Sequence, residues 1–350
     1  MFRSNVEGWR MRTLLTSLGW VLLYGLFLTA ATFKISSMSI PSYDPYFYSY
    51  LASGEDVATF KLTPGLPASW AAIPDEKIIH SRGFFTVKPL YVALTRAAVP
   101  LMGIFGAPFF VSTVAYFCLG WVVWLWLRAF GVPSPWRILA ALLLMFSFVF
   151  TIAARQGNPD MLCTLLLVTG AWLLFSTRLP HLGALVLLTS VFARTDCLVL
   201  GGLLLLLAAW RRRISPRAFI LWAGVMLLSE FWVASHGYPY RQFVSESLVT
   251  SYFYALTHGF AKSEVALYTP FVLLALVAVK LEFYTDLVFV CLASWIIRYL
   301  LLPKLEVRYL LPQAAILGIV AAGAAFRPKV VIPQYPEPEV SFASPQAIHD

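Results

Sequence analysis

Asp44 lies in the stretch Pro41-Ser42-Tyr43-Asp44-Pro45-Tyr46-Phe47-Tyr48, enclosed by proline and aromatic residues just after the first long apolar run. A proline biases its predecessor away from the helical region, so the sequence predicts Asp44 on a turn at the edge of the apolar segment. A carboxylate in such a place can act as a general base. It can equally be a plain turn residue beside an interfacial Tyr/Phe belt. More ionisable residues sit at the ends of apolar runs: Lys88, Arg155 and Asp160 around Gly157-Asn158-Pro159, Arg194 and Asp196 around Thr195, His236, Arg241 and Arg308. Cations grouped with carboxylates and a histidine suit the binding of an anionic group next to a base. Each also has a structural reading. Asn158, Pro159 and Asp160 suit an N-cap, a first helical position and a helix dipole. Arg194 and Asp196 suit a local ion pair, and His236 before Gly237 suits a loop. Arg298, inside an apolar run, reads as an arginine that snorkels to the interface.

The elements that carry these residues are apolar. The chain is 60% hydrophobic and only 12% charged, with a mean hydropathy of +0.76, whereas soluble domains carry about 25% charged residues. This composition predicts an all-α, polytopic transmembrane helical bundle. The apolar runs number about ten, near 13–33, 105–127, 137–154, 160–177, two within 181–210, 217–234, 264–281, 285–302 and 309–326. The run 181–210 is divided because Arg194-Thr195-Asp196 at mid-membrane would be costly. Residues 34–104 form the first outer loop, in which 89–103, with Arg96 and Pro100, are too short to cross and predict an interfacial helix. Residues 1–326 are one membrane domain, and the proline-rich 327–350 read as a disordered cytoplasmic tail.

Charge supports this topology. Arg3, Arg10, Arg12, Arg128, Arg137, Arg178, Arg211, Arg212, Arg213 and Arg217 fall on one side, which the positive-inside rule makes cytoplasmic along with both termini. Asp44, Asp56, Asp160 and Asp196 then share the outer side with Lys88, Arg155, Arg194, His236, Arg241 and Arg308. The net charge of +9 is orientation charge and does not point to nucleic acid. Cys118, Cys163, Cys197 and Cys291 lie in or at apolar runs without metal-ligand spacing, and read as small packing residues. No cofactor is implied, and a divalent metal is left open.

A membrane enzyme at the outer face has no nucleotide-activated donor there, so the donor must be delivered on a lipid. Lys88-Pro89-Leu90, the long first loop holding one early aspartate, the outer turn Arg155-Gln156-Gly157-Asn158-Pro159-Asp160 and Arg308-Tyr309-Leu310-Leu311-Pro312 together resemble the glycosyltransferase C superfamily of bacterial inner-membrane enzymes. The resemblance covers residues 10–326 as architecture and about twenty residues as motif. It implies transfer of a sugar from a polyprenyl-phosphate donor in the bilayer to a glycan, lipid or protein hydroxyl. It makes Asp44 the catalytic base and Lys88, Arg155, Arg194 and Arg308 the donor-phosphate ligands. Asp56, Asp160, Asp196, His236, Arg241 and Tyr309 would support them. The chain departs from the pattern in lacking an acidic pair at Asp44 and a soluble domain after the last span. Two other classes use the same charges: a transporter or flippase for an anionic lipid or solute, and a non-catalytic membrane subunit.

Overall fold

The computed structural model describes residues 2–38, 43–235, 262–282, 284–301 and 310–326. The described residues form helices, with no strand among them. The first, α1 (Phe2–Ser36), is 35 residues long. Four short helices follow: α2 (Tyr43–Ser53), α3 (Val57–Lys61), α4 (Ala68–Ala71) and α5 (Asp75–Thr86). They pack through stacked and edge-on rings of Tyr46, Phe47, Phe60, Trp70, Phe85 and Phe105. Asp44 sits in the first turn of α2, which corrects the expected turn. A proline in the first helical turn sacrifices no hydrogen bond, because those N–H groups have no intrahelical acceptor. The helix dipole also favours an aspartate there.

The long helix α6 (Pro89–Ala129) is broken at Gly103, whose φ of 71° and ψ of 167° are essentially closed to other residues. The break separates 89–102 from the apolar half that follows. Next come α7 (Ser134–Met145) and α8 (Phe148–Arg155), bent by 56° at a short break. Then follow α9 (Asp160–Ser176), α10 (Pro180–Ala193), α11 (Cys197–Trp210) and α12 (Pro216–Ser235). The last described helices are α13 (Lys262–Lys280), α14 (Thr285–Leu301) and α15 (Leu311–Phe326). The stretch 181–210 is thus two helices, parted by Arg194-Thr195-Asp196.

The long apolar helices are those of a membrane protein. By length and composition, three among the described residues are long and apolar enough to cross a bilayer: residues 16–36 of α1, α6 and α12; the bent pair α7–α8 makes a fourth if it is one span. Five other apolar helices or parts of helices are shorter.

The buried centre of the bundle is α9, which packs on α6, α10, α11 and α15. Its closest neighbour is α10, and glycines allow the approach. A Cβ on Gly170 would lie 2.5 Å from Leu187, and one on Gly183 2.8 Å from the backbone nitrogen of Leu174. Small residues let helices pack this closely in membranes. At one end of these helices lie Asp160, Arg194 and Asp196. At the other, Arg213 donates to the carbonyls of Leu174 (2.9 Å) and Thr177, and Arg211 forms a two-pronged pair with Asp286. The bundle therefore carries two separate charged layers.

Candidate functional site

Arg194 is the C-cap of α10, with extended backbone (φ −159°, ψ 127°) that turns its side chain out of the helix. Its Nε and Nη2 donate to the two carboxylate oxygens of Asp196 at 2.9 and 2.7 Å. Nη1 donates to Asp160, the first residue of α9. Arg298 of α14 closes the group by pairing with the same Asp196 oxygen that Nη2 of Arg194 meets. Arg194, Arg298 and Asp160 are 6%, 6% and 3% exposed, so the network is almost dry. Burial opposes the charged form of Asp196, but Arg194 and then Arg298 outweigh it and hold the carboxyl below its ordinary range. Because these arginines occupy its carboxylate, Asp196 starts α11 without a side-chain cap. Arg298 is a structural partner of Asp196 and does not snorkel, because an acid inside the bundle gives it a better place than the interface.

The turn before α9 is tied down by Asn158. Its Oδ1 accepts from the N–H of Asp160 at 3.2 Å, and its carbonyl accepts from Ser112 Oγ at 2.8 Å. This corrects the expected cap: the N-cap of α9 is Pro159, which has no side-chain cap bond, and Asn158 holds the N–H of Asp160 from the position before it, while the carboxylate of Asp160 goes to Arg194. Ser112 Oγ is 3.1 Å from the Tyr91 hydroxyl, which donates to the carbonyl of Pro108 at 2.8 Å.

Tyr91 connects the network to the segment that follows α1. Its ring meets that of Tyr48 at 4.7 Å between centroids. The Lys88 ammonium lies over the rings of Phe85 and Tyr48, 5.2 and 5.9 Å from their centroids. Loss of water pushes the Lys88 amine down to about 7; the charge of Arg194 adds to this, and Asp44, Asp160 and Asp196 oppose it. Burial, and then the charge of Asp44 one turn earlier in α2, push the Tyr48 hydroxyl well above its usual range. Asp44 is half-buried and acts electrostatically on Lys88, Tyr48 and Tyr91.

Of the residues singled out in the sequence, the structure brings together Asp44, Lys88, Asp160, Arg194 and Asp196. Arg155 turns instead to the carbonyl of Met38 past the end of α1. Asp56 is exposed and caps α3, accepting from the N–H and hydroxyl of Thr59 at 2.8 and 2.9 Å; these bonds hold its carboxyl below the ordinary value. Arg308, Tyr309, His236 and Arg241 lie outside the described residues.

Sequence reasoning missed Arg298 as a partner, and also Gln313, Glu230 and the disulfide between Cys163 and Cys197. Gln313 and the two cysteines line a small pocket with Asp160, Arg194, Asp196 and Arg298. Glu230, in α12, feels the charge of Asp196. Polar or charged residues inside apolar runs were the signal available for Arg298, Gln313 and Glu230. The packing reading of Cys163 and Cys197 is corrected: each lies at the start of a helix, and the α9–α11 contact brings the two together. Cys118 and Cys291 are free thiols, half-buried and buried.

Set against known protein families, curated proteins and solved structures, the chain matches none of them.

Proposed function

We propose that the chain is an integral membrane glycosyltransferase of the glycosyltransferase C kind, moving a sugar from a polyprenyl-phosphate donor to an acceptor hydroxyl at the outer face of a bacterial inner membrane. The observation that carries this reading is the meeting of Asp44 and Lys88, from the segment after α1, with the buried Asp160–Arg194–Asp196 network. A base and a cation thereby stand at one end of an apolar bundle. Asp44 takes the proton of the acceptor hydroxyl as its oxygen bonds to the anomeric carbon. The bond from that carbon to the phosphate oxygen breaks, and polyprenyl phosphate leaves with the electron pair. Lys88 neutralises the leaving phosphate. Arg194 spends hydrogen bonds on two carboxylates, so we assign it to holding the site together rather than to the phosphate.

Ten membrane crossings accompany this reading, with α7 and α8 as one span and the second half of α6 as another. The Cys163–Cys197 disulfide supports the outer placement, since disulfides persist in oxidising compartments and are rare in the cytosol. The direct test is to incubate purified protein with a panel of polyprenyl-phosphate sugars and hydroxyl acceptors and to measure released polyprenyl phosphate. Release that Asp44→Asn abolishes supports the proposal; no release with any donor counts against it.

Glu230 favours a second reading. An acid in an apolar helix, coupled to Asp196, is the kind of group that lines a proton or ion path. A transporter would move an anionic lipid or solute across sealed vesicles without releasing polyprenyl phosphate.

A further inference from the structure

Gln313 is 5% exposed and lines the pocket formed with Asp160, Arg194, Asp196 and Arg298. The orientation of its amide follows from its neighbour. The Ser294 hydroxyl donates to the carbonyl of Cys291 at 2.8 Å, so its oxygen can only accept from Gln313, and the amide nitrogen faces it at 3.2 Å. The other end of the amide, Oε1, is buried and has no hydrogen-bond partner among the described residues. Buried carbonyl oxygens are nearly always satisfied, so among the described residues this one is an acceptor open to a further donor.

The charge around it restricts what that donor is. Two guanidinium groups face two carboxylates, and the pairing Arg194–Asp160, Arg194–Asp196 and Arg298–Asp196 leaves the pocket without surplus positive charge. A phosphate would meet two carboxylates as well as two arginines. An uncharged hydroxyl suits the lining better, because it both donates and accepts.

We propose that this small pocket is a subsite for a single uncharged hydroxyl group of the substrate, with Gln313 as its selectivity residue. The proposal rests on the transferase reading. Under that reading the pocket takes a hydroxyl of the transferred sugar, while the phosphate stays beside Lys88.

The test is a binding titration of purified protein, followed by tryptophan fluorescence, with polyprenyl phosphate alone and with polyprenyl-phosphate hexoses and pentoses. Wild type is expected to bind at least one sugar-bearing lipid more tightly than bare polyprenyl phosphate. Gln313→Met keeps the length but loses the carbonyl, and should erase that preference by about tenfold without changing affinity for the bare lipid. Ser294→Ala leaves the carbonyl in place but unanchors it, and should reduce the same preference; it carries the test if Gln313→Met does not fold. Equal affinity of wild type for bare and sugar-bearing lipids overturns the subsite. So does an unchanged preference in both variants, or an equal loss for both kinds of lipid. In each of those cases the transferase reading stands if turnover is present. Absence of binding and turnover with every polyprenyl lipid overturns both.

Discussion

Cys163 and Cys197, 34 positions apart, are joined by a disulfide; the first lies one helical turn past Asp160, and the second directly follows Asp196. The covalent link therefore fixes the spacing between the two carboxylates that Arg194 bridges. Two consequences can be measured. Cys163→Ser, Cys197→Ser and the double variant should lower Tm to the same extent, because each removes the same link. Added reductant should do likewise in wild type and nothing in the double variant. With Cys118 and Cys291 replaced by alanine, Glu55→Cys, at an exposed position between α2 and α3, should react with an impermeant maleimide in intact cells. Labelling that requires permeabilised cells would reverse the assigned orientation.

Asp44→Asn keeps the shape and most of the hydrogen bonding of the side chain but cannot take a proton. Turnover should fall by roughly 100- to 10,000-fold, the usual worth of a general base, with Tm and donor binding near wild type. Asp56→Asn should leave turnover intact and lower Tm slightly, because Asp56 caps α3. The opposite ranking, read from released polyprenyl phosphate, would move the base to Asp56.

Lys88 gives a prediction in pH. Its amine is charged below about 7 and neutral above, because burial in the ring cluster disfavours the ammonium. An anionic donor should bind with uptake of a proton and lose affinity as pH rises from about 7. Lys88→Arg stays charged at every such pH, so its donor affinity should be flat across that range even if lower in absolute value. A wild-type titration that is itself flat from pH 6 to 9 would dissociate Lys88 from the phosphate.

The buried network should behave as a unit. Arg194→Leu strands two carboxylates, and removing one partner of a buried ion pair typically costs about 3–5 kcal/mol. Adding Asp160→Asn to Arg194→Leu should restore part of the lost Tm. Arg155→Gln, outside the network, should cost much less. For Asp196 the sign follows from its lowered pKa: its folded-state stabilisation is present above the ordinary carboxylate value near 4 and is lost as pH falls below it. A thermal-shift series between pH 3 and 6 reads this directly.

Much of this arrangement was legible in the sequence. Apolar runs marked the helices, and Arg194-Thr195-Asp196 marked the break between α10 and α11, because charged residues in lipid are too costly to be accidental. The arginine distribution separated the two charged layers by the same logic. Pairings across the bundle were less legible. Nothing local to Arg298 shows that Asp196 is its partner, and nothing local to Cys163 shows Cys197, because both depend on how α9, α11 and α14 pack. Asp44 was misplaced in its local structure because the proline rule holds for helix interiors and weakens at a first turn. Arg155 looked like Arg194 in sequence, as both end an apolar run, yet one meets a backbone carbonyl and the other two acids.

The glycine contact between α9 and α10 acts as a fulcrum. Gly170 lies ten residues from Asp160, about 15 Å along the helix, and Gly183 stands at a similar remove from Arg194. A side chain at either glycine would wedge the helices apart at that point and swing their far ends, where the ion pairs sit. Substitutions deep in the apolar interior would thus mimic damage to the polar end. A mutational screen scored by activity alone would place Gly170 and Gly183 among the reactive groups, although neither comes near them.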